Sequence, residues 1–411
     1  MRKLMFILRV TFHEIQALSQ RRKNQKKGVY LKRENRCLFV FSSGDLNSAK
    51  FGKMYPDKLI DLSEGMEKIG FSSLFALHPY KKRKFILRSS RRILFMERTF
   101  ESILYILRMR ILGGTNEILQ DELIKKESPF ERISFLSLYL SVSKIEPQIV
   151  ISIGATQDLV TICRVMRIPI AEMMHGVFTS DELPTYWIDN NQGNLIKNHH
   201  PDLFLSWHEK YSELMREFGV TSETVGYPIA EFEAGEKSGD IRPLSFLISL
   251  SWGDKDSVDP CGAMSQNLYR QLNLLVSNEI KFVFRIHPVF SESLLKEWRL
   301  KKWLLRNFSG SVIQTPRKNS LSSSLRAHSL HITEESSTFF EAALLSIPTL
   351  ITGTRILKSI PEDFIDNQMI ISRTIKLNDL PSITKGHYLK SSFFFDEKRT
   401  AKMLRDLILS K

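Results

Sequence analysis

The chain predicts an open α/β fold made of two doubly wound, Rossmann-like halves, and three observations carry that expectation. Short apolar runs suited to strands buried on both faces alternate with longer stretches of helical period. The rhythm breaks in the Gly-, Ser-, Glu- and Lys-bearing stretch from Ala230 to Arg242 and then restarts. Several strand-like runs end abruptly in polar residues, glycine or proline, as strands do where they open into ligand-facing loops. The expected division is a first half over residues 1–230, a linker over 231–242, a second half over 243–395 and a closing helix over 396–411.

The first strand is Arg36-Cys37-Leu38-Phe39-Val40-Phe41, leaving through Ser42-Ser43-Gly44-Asp45 as the opening of a βα unit. Helical period dominates from about Arg91 to Leu112 and again from Ser128 to Ser143. Gln148 to Gly154 is a buried strand with its helix over Ala155 to Val165, and Ile168 to Met174 is another strand. That strand ends in Glu172-Met173-Met174-His175-Gly176, an imidazole beside a flexible backbone, which also reads as an ordinary turn. Leu203 to Trp207 is the next strand, followed by a helix from His208 to Phe218. Val225-Gly226-Tyr227-Pro228 leads to the linker.

In the second half Leu244 to Leu250 is a strand whose loop carries Gly253, and Met264 to Ser277 is a helix. Lys281-Phe282-Val283-Phe284-Arg285-Ile286-His287-Pro288 turns basic at its carboxyl end and stops at a proline, which cannot continue a central strand. Ser329 to Thr333 leads through Glu334-Glu335-Ser336-Ser337-Thr338 into a helical run, and Ile347 to Thr352 is the next strand. Ligands sit beyond the carboxyl ends of strands in such sheets. Backbone N–H groups and hydroxyls at Ser336 and Ser337 are placed to hold a phosphate, with Arg285 or His287 supplying charge. Two plainer readings stand beside this: Thr338 and Glu341 match a capping box, and His287 suits a loop histidine. The final helix, from Asp396 to Leu409, is expected to pack back across the first half.

Composition is that of a folded protein with a sizeable core: 411 residues, 42% hydrophobic and 25% charged. No run of eighteen apolar residues occurs, and Met1 to Val10 lacks the form of a signal peptide, so neither a membrane span nor a secretory leader is expected. Cys37, Cys163 and Cys261 are too few and too scattered for a disulfide framework or a zinc site, which fits a reducing, cytoplasmic setting. The net charge of +14 asks for an anionic partner and concentrates at Arg21-Arg22-Lys23, Lys26-Lys27, Lys81-Lys82-Arg83-Lys84 and Arg91-Arg92. Apolar residues between and after the last two clusters, including Ile93-Leu94-Phe95-Met96, suit a peripheral helix on an anionic membrane face, or equally a solvated basic face beside a core stripe. Nucleic acid is not expected as a partner, since no reading motif or aromatic stacking platform accompanies the charge.

The order His175-Gly176, Val225-Gly226-Tyr227-Pro228, Arg285-Ile286-His287-Pro288, Ser336-Ser337 with Glu341-Ala342, and Ile347-Pro348 resembles bacterial cell-surface polymer transferases of the GT-B fold. Among these are capsular polysaccharide glycosyltransferases, polysialyltransferases and CDP-glycerol glycerophosphotransferases. The resemblance covers about residues 148 to 352. It implies that His287, Ser336 and Ser337 contact the donor phosphates, that Glu341 holds the ribose hydroxyls, and that His175 is the general base for the acceptor hydroxyl. Two departures leave the donor unread: Met174 stands where those enzymes carry glutamine, and Arg285-Ile286 where they carry lysine and proline.

The expected function is therefore transfer of a sugar from a nucleotide-activated donor to a cell-surface polysaccharide or lipid-linked acceptor, at the inner face of the membrane. A CDP-polyol phosphotransferase, a sugar-nucleotide epimerase of the same fold and, third, a nucleic-acid-binding protein are the alternatives. His175 is the expected base because its pKa lies near working pH, with Glu172 and Asp181 as acidic substitutes. Arg285, His287, Ser336, Ser337, Thr338, Glu341 and Gly253 form the expected donor site. Domain closure about the linker would exclude water. No carboxylate pair is expected to hold a divalent metal on a sugar nucleotide, and a reaction without metal or other cofactor is expected.

Overall fold

In a computed structural model the chain is described at residues 36–41, 66, 72–77, 93–95, 117–126, 129–153, 156–174, 176–178, 200–227, 245–251, 256–276, 280–287, 290, 293–315, 320–354, 356–366, 369–372, 374–383 and 396–410. The linker over 231–242 and the basic clusters between Arg21 and Arg92 lie outside these residues.

Two parallel sheets form the framework. The first contains β1 (Arg36–Phe41), β2 (Ser72–Leu77), β3 (Ile93–Phe95), β4 (Ile149–Ile153), β5 (Ile170–Met173), β6 (Leu203–Ser206) and β7 (Ser222–Thr224), in the order β3-β2-β1-β4-β5-β6-β7. Helices α1 (Glu117–Ile124), α2 (Pro129–Ile145), α3 (Gln157–Val165) and α4 (Glu209–Glu217) belong to this half. The second sheet contains β8 (Ser245–Ser249), β9 (Lys281–Arg285), β10 (Val312–Gln314), β11 (Leu330–Thr333), β12 (Thr349–Ile351) and β13 (Ile370–Ile371), ordered β10-β9-β8-β11-β12-β13. Its helices are α5 (Gln266–Leu275), α6 (Leu294–Asn307), α7 (Leu321–Arg326), α8 (Thr338–Leu344), α9 (Glu362–Asp366) and α10 (Leu380–Ile383), and α11 (Glu397–Leu409) closes the chain. Both sheets reverse strand order once, between β1 and β4 and between β8 and β11, and such switch points are where doubly wound sheets open a crevice.

Period-two alternation sorts each strand between two layers. In β1, Leu38 and Val40 face α1, α2 and α3, while Cys37 and Phe39 face the opposite side with Ile149, Ile151, Met173 and Leu205. The α11 residues Ala401 and Leu404 cover that opposite side, so the closing helix does cross back onto the first sheet as the sequence leads one to expect. Its start is held by Asp396, whose side chain accepts from Arg399 N at 2.9 Å and whose own N–H donates to Val225 O at 3.1 Å.

The second sheet is likewise covered on both faces. Phe246, Ile248, Phe282, Phe284, Leu330 and Ile332 pack with α5, α6 and α10. Leu247, Val283, Ile351 and Ile370 face α7, α8 and α9 and, continuously with them, Phe204, Trp207, Tyr211 and Tyr227 of the first half. The starts of α3, α5 and α7 have a local cause: Thr156, Ser265 and Ser320 accept from the backbone three residues on, at 3.3, 3.1 and 3.1 Å. Helix α4 ends at Gly219, whose φ of +76° is the left-handed turn that lets Val220 N reach Met215 O at 3.0 Å.

One expectation is overturned. Ile93, Leu94 and Phe95 read as part of a helix from Arg91, and as membrane-facing, yet they form the edge strand β3, paired in register with Phe75, Ala76 and Leu77. Helical spacing along the following residues hid a three-residue strand whose partner lies about twenty residues earlier.

Leu404 is fully buried whereas Leu409, five residues on, is 75% exposed. Leu404→Ala is expected to lower unfolding free energy by about 2–5 kcal/mol, and Leu409→Ala to leave it within about 0.5 kcal/mol, as read by urea denaturation.

Candidate functional site

The switch point of the second sheet brings together the ends of β8 and β11. Pairing sets Thr333 opposite Ser249, and the Thr333 hydroxyl donates to Ser249 O at 3.0 Å. Two residues back on the same strand, His331 is fully buried on the face where Leu247 and Ile351 are its apolar counterparts. Its Nε2 lies 2.9 Å from Ser249 Oγ and 3.4 Å from Thr338 Oγ1, and its Nδ1 lies 3.1 Å from Thr349 Oγ1. One imidazole thus ties together β8, β11, β12 and the first residue of α8. Burial, with a smaller contribution from His328, lowers its pKa to about 3, so the ring is neutral at working pH.

The serine motif sits beside this seam. Ser336 Oγ accepts from Thr338 N at 3.3 Å and from Thr338 Oγ1 at 3.0 Å. Ser337 is the residue before the helix and makes no side-chain cap, and Glu341 is the fourth residue of α8, so the capping-box reading of Thr338 and Glu341 does not hold. Helix α8 spans only seven residues, and hydroxyls rather than an aligned run of peptide dipoles give this corner its polarity. Gly353, after β12, closes the corner: a Cβ there would meet Glu334 O and Glu335 Cγ at 2.6 Å each. Only glycine lets the two loops approach so closely.

The basic strand end has a different character from the one its composition implies. Arg285 is 8% exposed and donates through Nη1 to Ser324 Oγ of α7 at 3.1 Å. Burial lowers its pKa to about 10, which leaves it charged at neutral pH. His287 is half-buried, and burial lowers its pKa to about 4. At neutral pH His287 is therefore uncharged, and Arg285 carries the charge.

On the first-half side Glu172 is fully buried on β5, in register with Ser152 of β4 and Phe204 of β6. Gly176 has neither a left-handed φ nor any atom within 4 Å of where a Cβ would stand, so the backbone there does not itself require glycine. His175, Asp181 and Gly253 lie outside the described residues.

Sequence reasoning quoted Tyr227 without reading its role. Its hydroxyl donates to Glu341 Oε1 of α8 across the junction of the halves, and both residues are buried. Its ring stacks on Phe340 at 5.6 Å, and Trp207 packs on both, at 4.8 Å from Tyr227 and 5.6 Å from Phe340. His208 Nδ1 accepts from Lys210 N at 3.1 Å while its Nε2 reaches Asp363 Oδ2 at 3.4 Å, and Lys210 Nζ donates to Ile360 O at 2.8 Å. The expectation of a metal-free reaction loses its basis too. Asp254 and Asp256, in the loop after β8, stand at the Asp-x-Asp spacing. Among the described residues, which include Asp256, no group of three or more His, Cys, Asp or Glu gathers to hold an ion.

The chain matches no protein-family model and no curated protein. Solved structures do match it over nearly its whole length. UDP-GlcNAc 2-epimerase from Methanocaldococcus jannaschii, in complex with UDP-GlcNAc and UDP, is 13% identical with a TM-score of 0.55, covering 91% of this chain and 99% of that one. UDP-GlcNAc 2-epimerase from Neisseria meningitidis bound to UDP-GlcNAc is 10% identical with a TM-score of 0.51, covering 92% and 100%. Anabaena HepE in complex with UDP and glucose is 11% identical with a TM-score of 0.51, covering 92% and 100%. At these identities the likeness is one of fold, and it agrees with the two parallel-sheet halves described above: the architecture is GT-B.

Two outcomes follow from the site. The unfolded chain protonates histidine below about pH 6.5 while native His331 stays neutral to about pH 3, so the unfolded state binds more protons in that window. Stability is expected to fall as pH drops from 6.5, with His331 contributing up to about 1.4 kcal/mol per pH unit. Urea titrations of His331→Gln between about pH 5 and 7.5 should show a shallower slope. Tyr227→Phe, which leaves the buried Glu341 without its phenol donor, is expected to cost about 1–3 kcal/mol in the same assay.

Proposed function

We propose that this chain is an enzyme acting on a nucleotide-diphosphate sugar, bound along the carboxyl edge of the second sheet with the sugar directed toward Glu172 and His175. The observation that carries this reading is the coincidence of the β8/β11 switch point with a cluster of hydroxyls at Ser249, Thr333, Ser336 and Thr338 beside the cationic end of β9. Arg285 supplies charge toward the diphosphate. His287 supplies an N–H that gains a proton as phosphate approaches, because an anion within a few ångströms raises a depressed imidazole pKa.

Within this class the near-complete fold likeness to UDP-GlcNAc 2-epimerases supports epimerisation of a UDP-sugar as the first reading. Inversion at the ring carbon next to the anomeric centre needs a base to take its proton as the C–O bond to the nucleoside diphosphate breaks, and an acid to return a proton to the other face as that bond re-forms. Glu172 and His175 are the groups assigned to that exchange. Glycosyl transfer is the second reading, and the order of His175-Gly176, His287-Pro288 and Ser336-Ser337 along the chain favours it. There His175 takes the proton of an acceptor hydroxyl as the nucleoside diphosphate leaves. Both chemistries rest on the same stabilisation of diphosphate charge by fixed donors.

Proton NMR of the protein with UDP-GlcNAc in D2O separates them. Epimerisation gives a new sugar nucleotide carrying deuterium at the inverted carbon. Transfer gives free UDP in proportion to added acceptor glycan, without exchange. Neither signal, repeated with CDP-, GDP- and CMP-activated sugars and with divalent cation added, would remove the nucleotide-sugar reading. His287→Ala and Ser336→Ala are expected to weaken nucleotide binding about tenfold or more by calorimetry. Glu172→Gln and His175→Ala are expected to lower turnover about a hundredfold with nucleotide affinity nearly unchanged.

A further inference from the structure

Helix α6 has two apolar faces where one would suffice. Leu300 and Leu304 are fully buried against the second sheet, flanked by Glu297, which pairs with Lys301 at 2.6 Å. The other face is open: Leu294, Leu295, Trp298 and Leu305 are 75%, 56%, 56% and 52% exposed. At roughly 100° per residue Leu294, Trp298 and Leu305 fall within about 40° of one another, a stripe about 16 Å long, with Leu295 at its edge. Folding left these side chains in water, and a contiguous apolar stripe of this kind marks a surface that meets another phase or molecule.

The charge around the stripe says which. Lys296, Arg299, Lys302 and Arg306 are all exposed, and the one carboxylate in the helix, Glu297, is buried on the face of Leu300 and Leu304. Lys302 lays its chain along the indole, with Nζ 5.1 Å from the Trp298 ring centre, which leaves the ammonium free to rise beside the ring toward an anion. On the same count Lys302, Arg306 and Arg299 fall about 40°, 80° and 100° beyond Trp298 on one side of the stripe, around Leu295, and lysine and arginine bordering leucine and tryptophan suit a helix lying in the plane of a lipid headgroup layer. A second copy of the chain docking through the same stripe about a twofold axis would set these cations against one another.

We propose that α6 docks the second half on an anionic lipid bilayer, with Leu294, Leu295, Trp298 and Leu305 at the headgroup–acyl boundary and Arg299, Lys302 and Arg306 on lipid phosphates. This surface is independent of the catalytic reading above and of the basic clusters between Arg21 and Arg92. Among the described residues no helix is long and apolar enough to cross a membrane, so contact through α6 is interfacial.

Sedimentation of the whole protein with lipid vesicles tests it. Binding is expected to phosphatidylcholine vesicles containing about one-third phosphatidylglycerol, weakened by salt, and at least about tenfold weaker to phosphatidylcholine alone. The triple variant Leu294→Ser, Trp298→Ser, Leu305→Ser should lose at least about tenfold in affinity while melting as the parent does, since none of the three side chains is buried. Lys302→Glu with Arg306→Glu should lose as much, each lost cation accounting for about fivefold. Absence of binding to anionic vesicles overturns the proposal, as does binding that neither variant diminishes. A concentration-dependent dimer that the serine variant dissociates overturns it as well, by assigning the stripe to a second copy.

Discussion

Trp207 and Tyr227 of the first half pack against Phe340 of the second, and the placement of the candidate site follows from that contact. Phe340 lies on α8, the helix whose first residue, Thr338, meets Ser336 and His331. Glu341, the next residue along, is bound by the Tyr227 hydroxyl. The helix that presents hydroxyls to the crevice is therefore fastened to the opposite half by an aromatic stack and a buried hydrogen bond. Each large aromatic removed from such a position leaves a void costing about 3–5 kcal/mol. The polar edge of the second sheet is positioned by apolar packing more than by its own hydrogen bonds.

Electrostatics at the crevice is arranged around neutrality rather than stored charge. His331 holds three hydroxyl-bearing segments together as an uncharged ring, and His287 waits uncharged at a strand end. Arg285 keeps its charge under burial because guanidinium starts so far above neutral pH. Among the described residues this edge therefore sets the Arg285 guanidinium beside uncharged imidazoles and hydroxyls, with Glu334 and Glu335 in the loop between β11 and α8.

Much of the framework was legible in the sequence because parallel strands buried on both faces read as nearly continuous apolar runs; β4, β6, β8 and β9 do, and β5 does but for Glu172. The closing helix was legible from its period and its aspartate cap. Ile93 to Phe95 was misread because three residues hold too little pattern to outvote the helical spacing that follows them. In the site, His287, Ser336 and Ser337 stood out as polar residues interrupting apolar runs. His331 did not, since it alternates with Leu330 and Ile332 as a solvent-facing strand residue would, and its burial depends on β8, β12 and α8 closing over it. The bond between Tyr227 and Glu341 spans 114 positions, and nothing local in either segment announces the other. The exposed stripe of α6 was invisible for the converse reason: its leucines and tryptophan look like core until the partner face is known to be occupied by Leu300 and Leu304.

The apolar layer that runs from Phe204 and Trp207 through Phe339, Phe340 and Phe364 into the second sheet has a thermodynamic meaning for the protein's architecture. Two halves that share a core of this kind are one unit of cooperativity, however plainly the rhythm of the chain divides them. Heat or denaturant acting on either half exposes the aromatic face of the other, so unfolding of one half is coupled to that of the other. Cut apart at residues 228–244, neither fragment would be a free-standing domain. Each would carry an uncovered sticky face into solution, and selection acting on one half is thereby constrained by the shape of the other.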